Sequence, residues 1–236
     1  MSGLVEEDRG IEAVRRVACP LPLSTLVEGP IAPKESCLGK LLCSRRSVRS
    51  FSGAPIPCEA LLRLLVDSAG GVQSYLAETP NGASYEVLYR TIPQGGAIAS
   101  VHLHLVLMQD NRSLTAGCYT LCPYQNTLHA RNMRYDYDQL KKAMWWKDDA
   151  VNAGQTAVLI ISADMESKAY KYGEKGYWLS VIEAGCALQN ALLSICDQGL
   201  AGYAVAGFDP DLIASLLSLE KNEQPIVAVV MGMPAL

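Results

Sequence analysis

The sequence is sparing with the residues that most often carry enzyme chemistry unaided. It has three histidines and two phenylalanines in 236 residues, and 19% of its residues are charged. Its eight cysteines include no CxxC; Cys118 and Cys122 are the closest pair, with no second pair or histidine cluster to complete a zinc site. His102 and His104 alternate on an expected strand and so share a face, where they read as ordinary hydrogen-bonding residues. No apolar run approaches the ~20 residues of a membrane span. A net charge of -4 supplies no basic field for nucleic acid. The acidic, polar start from Met1 to Arg9 does not read as a signal peptide, so a cytoplasmic address and reduced thiols are expected. The cysteines then read mostly as small core residues.

What is present suits one packed domain. Half the residues are hydrophobic, enough for a sizeable core. Residues 1–35 carry Pro20, Pro22, Pro30 and Pro33 and read as an extended arm ahead of a domain over 36–236. Ser36 is positioned to cap a short helix over 36–44. Leu61, Leu62, Leu64, Leu65, Val66 and Ala69 give a buried helix over 59–69, ended by Gly70-Gly71. Residues 72–90 show no clear period. Strands are expected at 101–108 and 117–121, as a hairpin, and at 156–162 and 226–232 as buried runs. A helical segment is expected from Tyr135 to Trp146, and Asp209 with Pro210 opens a helix running to Leu219. The fold class is α+β, with helices covering a central sheet.

Three stretches carry the chemistry. Arg45-Arg46-Ser47-Val48-Arg49 packs three guanidinium groups and a hydroxyl into five residues, a donor set suited to an anion such as phosphate. Pro93-Gln94-Gly95-Gly96-Ala97 is a turn whose glycines let the backbone approach a flat ligand. Lys171-Tyr172-Gly173-Glu174-Lys175-Gly176-Tyr177-Trp178 then runs into an apolar helix over 177–197 that contains Glu183. A carboxylate in such a helix needs a partner, as a structural centre or as part of a site.

In this order, and with Glu183-Ala184-Gly185, Pro225 to Val230 and Gly232-Met233-Pro234, these pieces resemble the nitroreductase superfamily of FMN enzymes. Within it the chain is most similar to the SagB-type dehydrogenases, the azoline oxidases that make thiazoles and oxazoles, from about residue 38 to the end. The resemblance implies an FMN-binding α+β fold with a mixed or antiparallel sheet, in a homodimer with active sites at the interface. It implies that Arg45, Ser47 and Arg49 hold the FMN phosphate and the polar edge of the ring, with Arg46 contributing mainly backbone. Pro93, Gln94, Gly95 and Gly96 would lie along the isoalloxazine, and Glu183 and Ala184 near its N5 side. Lys171 and Tyr172 would match the catalytic lysine–tyrosine pair, with FMN as cofactor.

The activity so implied is oxidation of a thiazoline or oxazoline ring to the azole, by loss of a C–H proton and transfer of a hydride to the flavin. A tyrosine beside a lysine, or a desolvated lysine, is a suitable base. The chain departs from the family pattern at Gln94, where serine is usual, at Cys186 for histidine, and at Trp178 for arginine. No lysine or arginine follows Lys221. With no long N-terminal extension, the expected substrate is small or carrier-bound, or else a peptide. An NAD(P)H-dependent nitro or quinone reductase, and a flavin-free binding protein on the same fold, are the alternatives.

Overall fold

The structure is a computed structural model that describes residues 36–78, 81–131, 136–146 and 157–235. The arm read over 1–35 lies outside them. The chain divides into two compact units, Met1–Cys43 and Ser44–Leu236. Helix α1, Cys37–Ser44, begins as its sequence expects, with the Gly39 N–H donating to Ser36 Oγ at 3.1 Å.

In the second unit, Pro57 precedes α2, Cys58–Ala69, whose Leu61, Leu64, Leu65 and Ala69 form one buried face. The stretch without a clear period is a hairpin of β1, Gly71–Glu78, and β2, Ser84–Arg90, standing apart as its own two-stranded sheet. Its side chains are largely exposed, and Tyr75 stacks on Tyr89 at 5.0 Å, so little alternation marks it in the sequence.

The main sheet collects β3, Val101–Leu107, β4, Gly117–Cys122, and β5, Thr127–Ala130. Helix α3, Tyr137–Ala143, leads to β6, Ala157–Asp164. Helix α4, Ala169–Tyr172, is followed by α5, Lys175–Asp197, then β7, Ala201–Val205, α6, Pro210–Leu217, and β8, Glu223–Gly232. The six strands run in the order β5-β4-β3-β6-β8-β7, and every pairing is antiparallel. The fold is α+β, and β6 is buried on both faces as its unbroken apolar run requires.

Alternation sorts the strands into two faces. Leu103, Leu105, Leu159, Ile161, Val227 and Val229 pack with α2 and α5 on the first. Val106, Val158, Ile160, Ala228 and Val230 pack with Phe51, α3 and α6 on the second. Asp209 caps α6 by accepting the Asp211 and Leu212 N–H groups, with Pro210 behind it. Among the described residues α5 has the length and composition to cross a membrane, but Ser180, Glu183, Ala184, Ala187 and Ala191 bury one side of it inside the protein. Of the seven described cysteines only Cys118 is buried, so the reading of these residues as core fillers holds for one of them.

At one end of the second face the packing turns polar. His104 is buried; its Nε2 lies 2.6 Å from Glu223 Oε1 and 3.0 Å from Ser162 Oγ, and its Nδ1 lies 2.9 Å from Thr120 Oγ1. Arg131 Nη1, which can only donate, is 3.2 Å from Nδ1, so Nδ1 accepts and Nε2 carries the ring proton toward Glu223.

Burial works to raise the Glu223 pKa, but the hydrogen bonds from His104 and Ser162 outweigh it and hold the carboxyl at about 2, below its ordinary 4.5. Burial likewise holds neighbouring His102 below its ordinary 6.5, against the pull of Glu223. Both shifts make the unfolded chain bind more protons than the folded one, so stability is present at neutral pH and lost on acidification. Melting temperature is expected to fall as pH drops below about 6.5, through His102, and again between 4.5 and about 2, through Glu223. In thermal melts from pH 8 downward, His102→Asn should flatten the upper limb and Glu223→Gln the lower; unchanged limbs would remove these groups from the acid response.

Candidate functional site

The site is built where α4 and the N-terminal half of α5 meet the Gly95–Ala97 turn. Lys168 is fully buried, and its Nζ pairs with Glu183 Oε2 at 3.0 Å and donates to the Ile98 carbonyl. Glu183 in turn accepts the Gly95 N–H through Oε1 at 2.6 Å and the Ser100 hydroxyl through Oε2 at 3.2 Å. The partner that a carboxylate in an apolar helix needs is thus a buried lysine, and the pair fastens the glycine turn to α5. Arg90, at the end of β2, braces the far side by donating to the Ala69 and Val101 carbonyls at 2.8 Å each. Burial pushes its pKa down to about 10, while Glu183 and Tyr124 pull the other way.

The same lysine sets the catalytic candidates. Its carbonyl accepts the Lys171 and Tyr172 N–H groups at 3.1 and 2.9 Å, which winds α4 directly off residue 168. Gly176 lets α5 cross this point, because a Cβ there would sit 2.7 Å from the Lys168 and Ala169 backbone. Lys171 and Tyr172 are thereby aimed at the glycine turn. A Cβ built on Gly96 would fall 2.5 Å from Tyr172 Oη and 3.0 Å from Lys171 Nζ. Gly96 has φ of +67°, a conformation that glycine adopts freely. Ammonium and phenol therefore converge on one point of exposed backbone, with Lys171 Nζ 5.6 Å from the Tyr172 ring centre.

The turn itself is close-packed. A Cβ on Gly95 would meet Leu179 at 3.3 Å and Glu183 Oε1 at 3.4 Å. Gln94 Nε2 donates to the Leu88 carbonyl at 2.7 Å, leaving its Oε1 buried without a hydrogen-bond partner. Pro93 is exposed, and Ala184 is packed in the core. The structure therefore brings Gln94, Gly95, Gly96, Lys171, Tyr172 and Glu183 together. Lys168 went unnoticed in the sequence; its only signal there is a place three residues ahead of Lys171.

The arginine cluster lies elsewhere on the chain. Residues 45–50 run beside β7, with the Val48 N–H donating to the Gly202 carbonyl at 3.0 Å. Ser44 Oγ lies 3.3 Å from Cys196 Sγ, near the end of α5. Cys196 follows Glu183 by thirteen helical steps, roughly 20 Å along the axis. Arg49 lies over the Tyr203 ring at 4.9 Å, and neither Arg45 nor Arg49 meets a carboxylate among the described residues. Arg46 Nη1 donates to the Arg45 carbonyl, and Ser47 is exposed.

Two guanidinium groups without carboxylates and an exposed hydroxyl fit the phosphate of a flavin mononucleotide. The bare peptide of Gly96 and the orphaned Gln94 oxygen fit a flat polar ring. Among the described residues no group of three or more histidine, cysteine, aspartate or glutamate side chains is placed to hold a metal ion.

A sequence model of the nitroreductase family matches residues 42–233. A protein of Methanocaldococcus jannaschii that carries the nitroreductase name is 24% identical over 200 residues, covering 84% of this chain and 92% of that one. Among solved structures, a chain of the E. coli microcin synthetase McbBCD complex with truncated pro-MccB17 bound superposes with a TM-score of 0.68 at 19% identity. It covers 94% of this chain and 86% of that one. The NADPH:FMN oxidoreductase of Vibrio harveyi, complexed with NAD+, gives 0.55 at 14% identity, covering 85% and 70%.

Proposed function

The chain belongs to the nitroreductase family of oxidoreductases, and from that premise we propose that it is an FMN-dependent dehydrogenase that oxidises an azoline-type ring to the azole. The observation that carries this reading is the convergence of Lys171 Nζ and Tyr172 Oη on Gly96. A site that only passes hydride between a nicotinamide and a nitro group needs no base. Removing a proton from a ring carbon does need one, and a lysine and a tyrosine are aimed at one point. The likeness to a chain of a microcin synthetase complex agrees with this reading, and the likeness to an NADPH:FMN oxidoreductase agrees with the cofactor.

Arg45, Ser47 and Arg49 would hold the phosphate of FMN, and Gln94 to Gly96 would bear on its ring. When bound, FMN supplies the two-electron acceptor for the hydride equivalent. The chain's own residues handle the proton. Either Tyr172 Oη or Lys171 Nζ takes it from the ring carbon, and the other holds the base in place by charge and hydrogen bonding. The substrate loses one proton and one hydride, and the ring becomes aromatic. Glu183 does not serve as the base, because its two oxygens are engaged by Gly95, Ser100 and Lys168. The separation of roughly 20 Å along α5 between Glu183 and Cys196 supports a homodimer. The arginine cluster of one protomer would complete the glycine-turn corner of its partner.

The purified protein is expected to show flavin absorption bands, and Arg45→Ala with Arg49→Ala to lose them at least tenfold in FMN affinity, since charge-assisted phosphate contacts are the strong ones. Tyr172→Phe should keep the bands and lose azoline oxidation. Wild-type protein that takes up no added FMN would end this reading. Brisk nitroaromatic reduction by NAD(P)H, undisturbed in Tyr172→Phe, would replace it with the reductase alternative.

A further inference from the structure

All three histidines of the chain line one cleft. His102, His104 and His129 share a cavity of about 570 Å³ with Arg131, Ser218 and Glu223. On β3, Leu103 and Leu105 belong to the first face, so His102 and His104 point to the second. The cleft therefore lies across the sheet from the corner of Lys171, Tyr172 and Gly96, which is built on α5 of the first face. The proposed reaction uses none of its residues.

Its wall is rich in donors. Arg131 spends Nη1 on His104 Nδ1 and Thr120 Oγ1, both at 3.2 Å, and Nη2 on the Ser218 carbonyl at 3.1 Å. A guanidinium has five N–H groups, so donors remain. No carboxylate lies within ion-pairing distance of it among the described residues. The ring of His102, partly buried, makes no side-chain hydrogen bond among the described residues. His129 is exposed, its Nε2 3.2 Å from Thr127 Oγ1. The one carboxylate lining the cleft, Glu223, is buried, with His104 and Ser162 both on its Oε1. Its Oε2 takes no hydrogen bond among the described residues, so the cleft carries this carboxylate oxygen as well as the Arg131 guanidinium.

We propose that this cleft binds a small oxyanion, a phosphate or carboxylate group, with Arg131 as the charged contact and the His102 and His129 rings as flanking donors. A guanidinium with spare donors and no carboxylate within ion-pairing distance, beside an imidazole with no hydrogen-bond partner among the described residues, can accept an oxyanion. The shape agrees, because a concave site with a few converging polar groups is where small ligands lodge. The proposal stands apart from the flavin reading and survives if that fails.

Histidine occurs nowhere else in the chain, so its ring resonances in carbon–proton NMR report on this cleft alone. The full chain would be titrated at fixed pH with inorganic phosphate, with acetate, and with sodium chloride as the ionic-strength control. Saturating shifts of the His102 and His129 rings are expected with phosphate, acetate or both, and the tighter of the two names the ligand group. Arg131→Gln should weaken binding at least tenfold. Because Arg131 also touches His104, a second variant, His129→Gln, removes an exposed ring outside that network and should weaken binding several-fold. Shifts that never saturate, that chloride reproduces, or whose midpoint is the same in both variants would overturn the proposal.

Discussion

Lys168→Met is expected to destabilise the protein by about 3 kcal/mol, the low end of what breaking a buried ion pair costs. The lysine is fully buried and Glu183 nearly so, and their charges are 3.0 Å apart. Methionine fills most of the volume but leaves the carboxylate without its near cation. Arg90 still attracts that charge, which is why the low end applies. The double variant Lys168→Met with Glu183→Gln should recover much of the loss, because no net charge then stays buried. Denaturant unfolding of the two single variants and the double variant measures this directly. A loss below about 1 kcal/mol in Lys168→Met would mean that the pair behaves as a solvated one. The damage should reach function as well, since the Lys168 carbonyl holds the Lys171 and Tyr172 amides.

Gly96→Val should spare the fold and cut turnover about a hundredfold. A side chain at φ of +67° costs about 1–2 kcal/mol, modest for a domain of this size. The new Cβ, however, lands 2.5 Å from Tyr172 Oη, so either the turn or the tyrosine must move. A displacement of about 1 Å at reacting groups is worth on the order of a hundredfold in rate. If the proposed function holds, azoline oxidation falls by about that factor while the melting temperature drops only a few degrees. Turnover equal to the parent protein would show that chemistry does not occur at this convergence. Gly96→Ala should fall between the two, since it brings the same Cβ without the branches.

Much of this was legible before the structure. The apolar helix α5, the doubly buried run of β6 and the Asp209-Pro210 start of α6 each follow from local rules, and each is found. The need of Glu183 for a partner was also legible, because a carboxylate in an apolar helix must be compensated. Who compensates it was not. Lys168 sits in an ordinary polar stretch, and its burial is decided by Ile98, 70 residues earlier, and by Glu183. The polar network on the second face was hidden for the same reason, since His104 and Glu223 lie 119 residues apart. β7 escaped because Ala201-Gly202-Tyr203 has little strand character of its own and depends on pairing with β8. Convergence of Lys171 and Tyr172 on Gly96 needed the close crossing at Gly176, which no spacing announces.

The hydrogen bond from Gly95 to Glu183 spans 88 residues, and that from Ser100 to Glu183 spans 83. Contacts of such separation are slow to form, because the intervening loop must close before they offer any gain. The corner that aims Lys171 and Tyr172 is thus expected to be completed only once α5 has docked on the sheet. A chain halted short of that docking has its helices and strands yet no working corner. Activity regained during refolding should therefore lag behind helical signal, and the site serves as a timer for the end of folding.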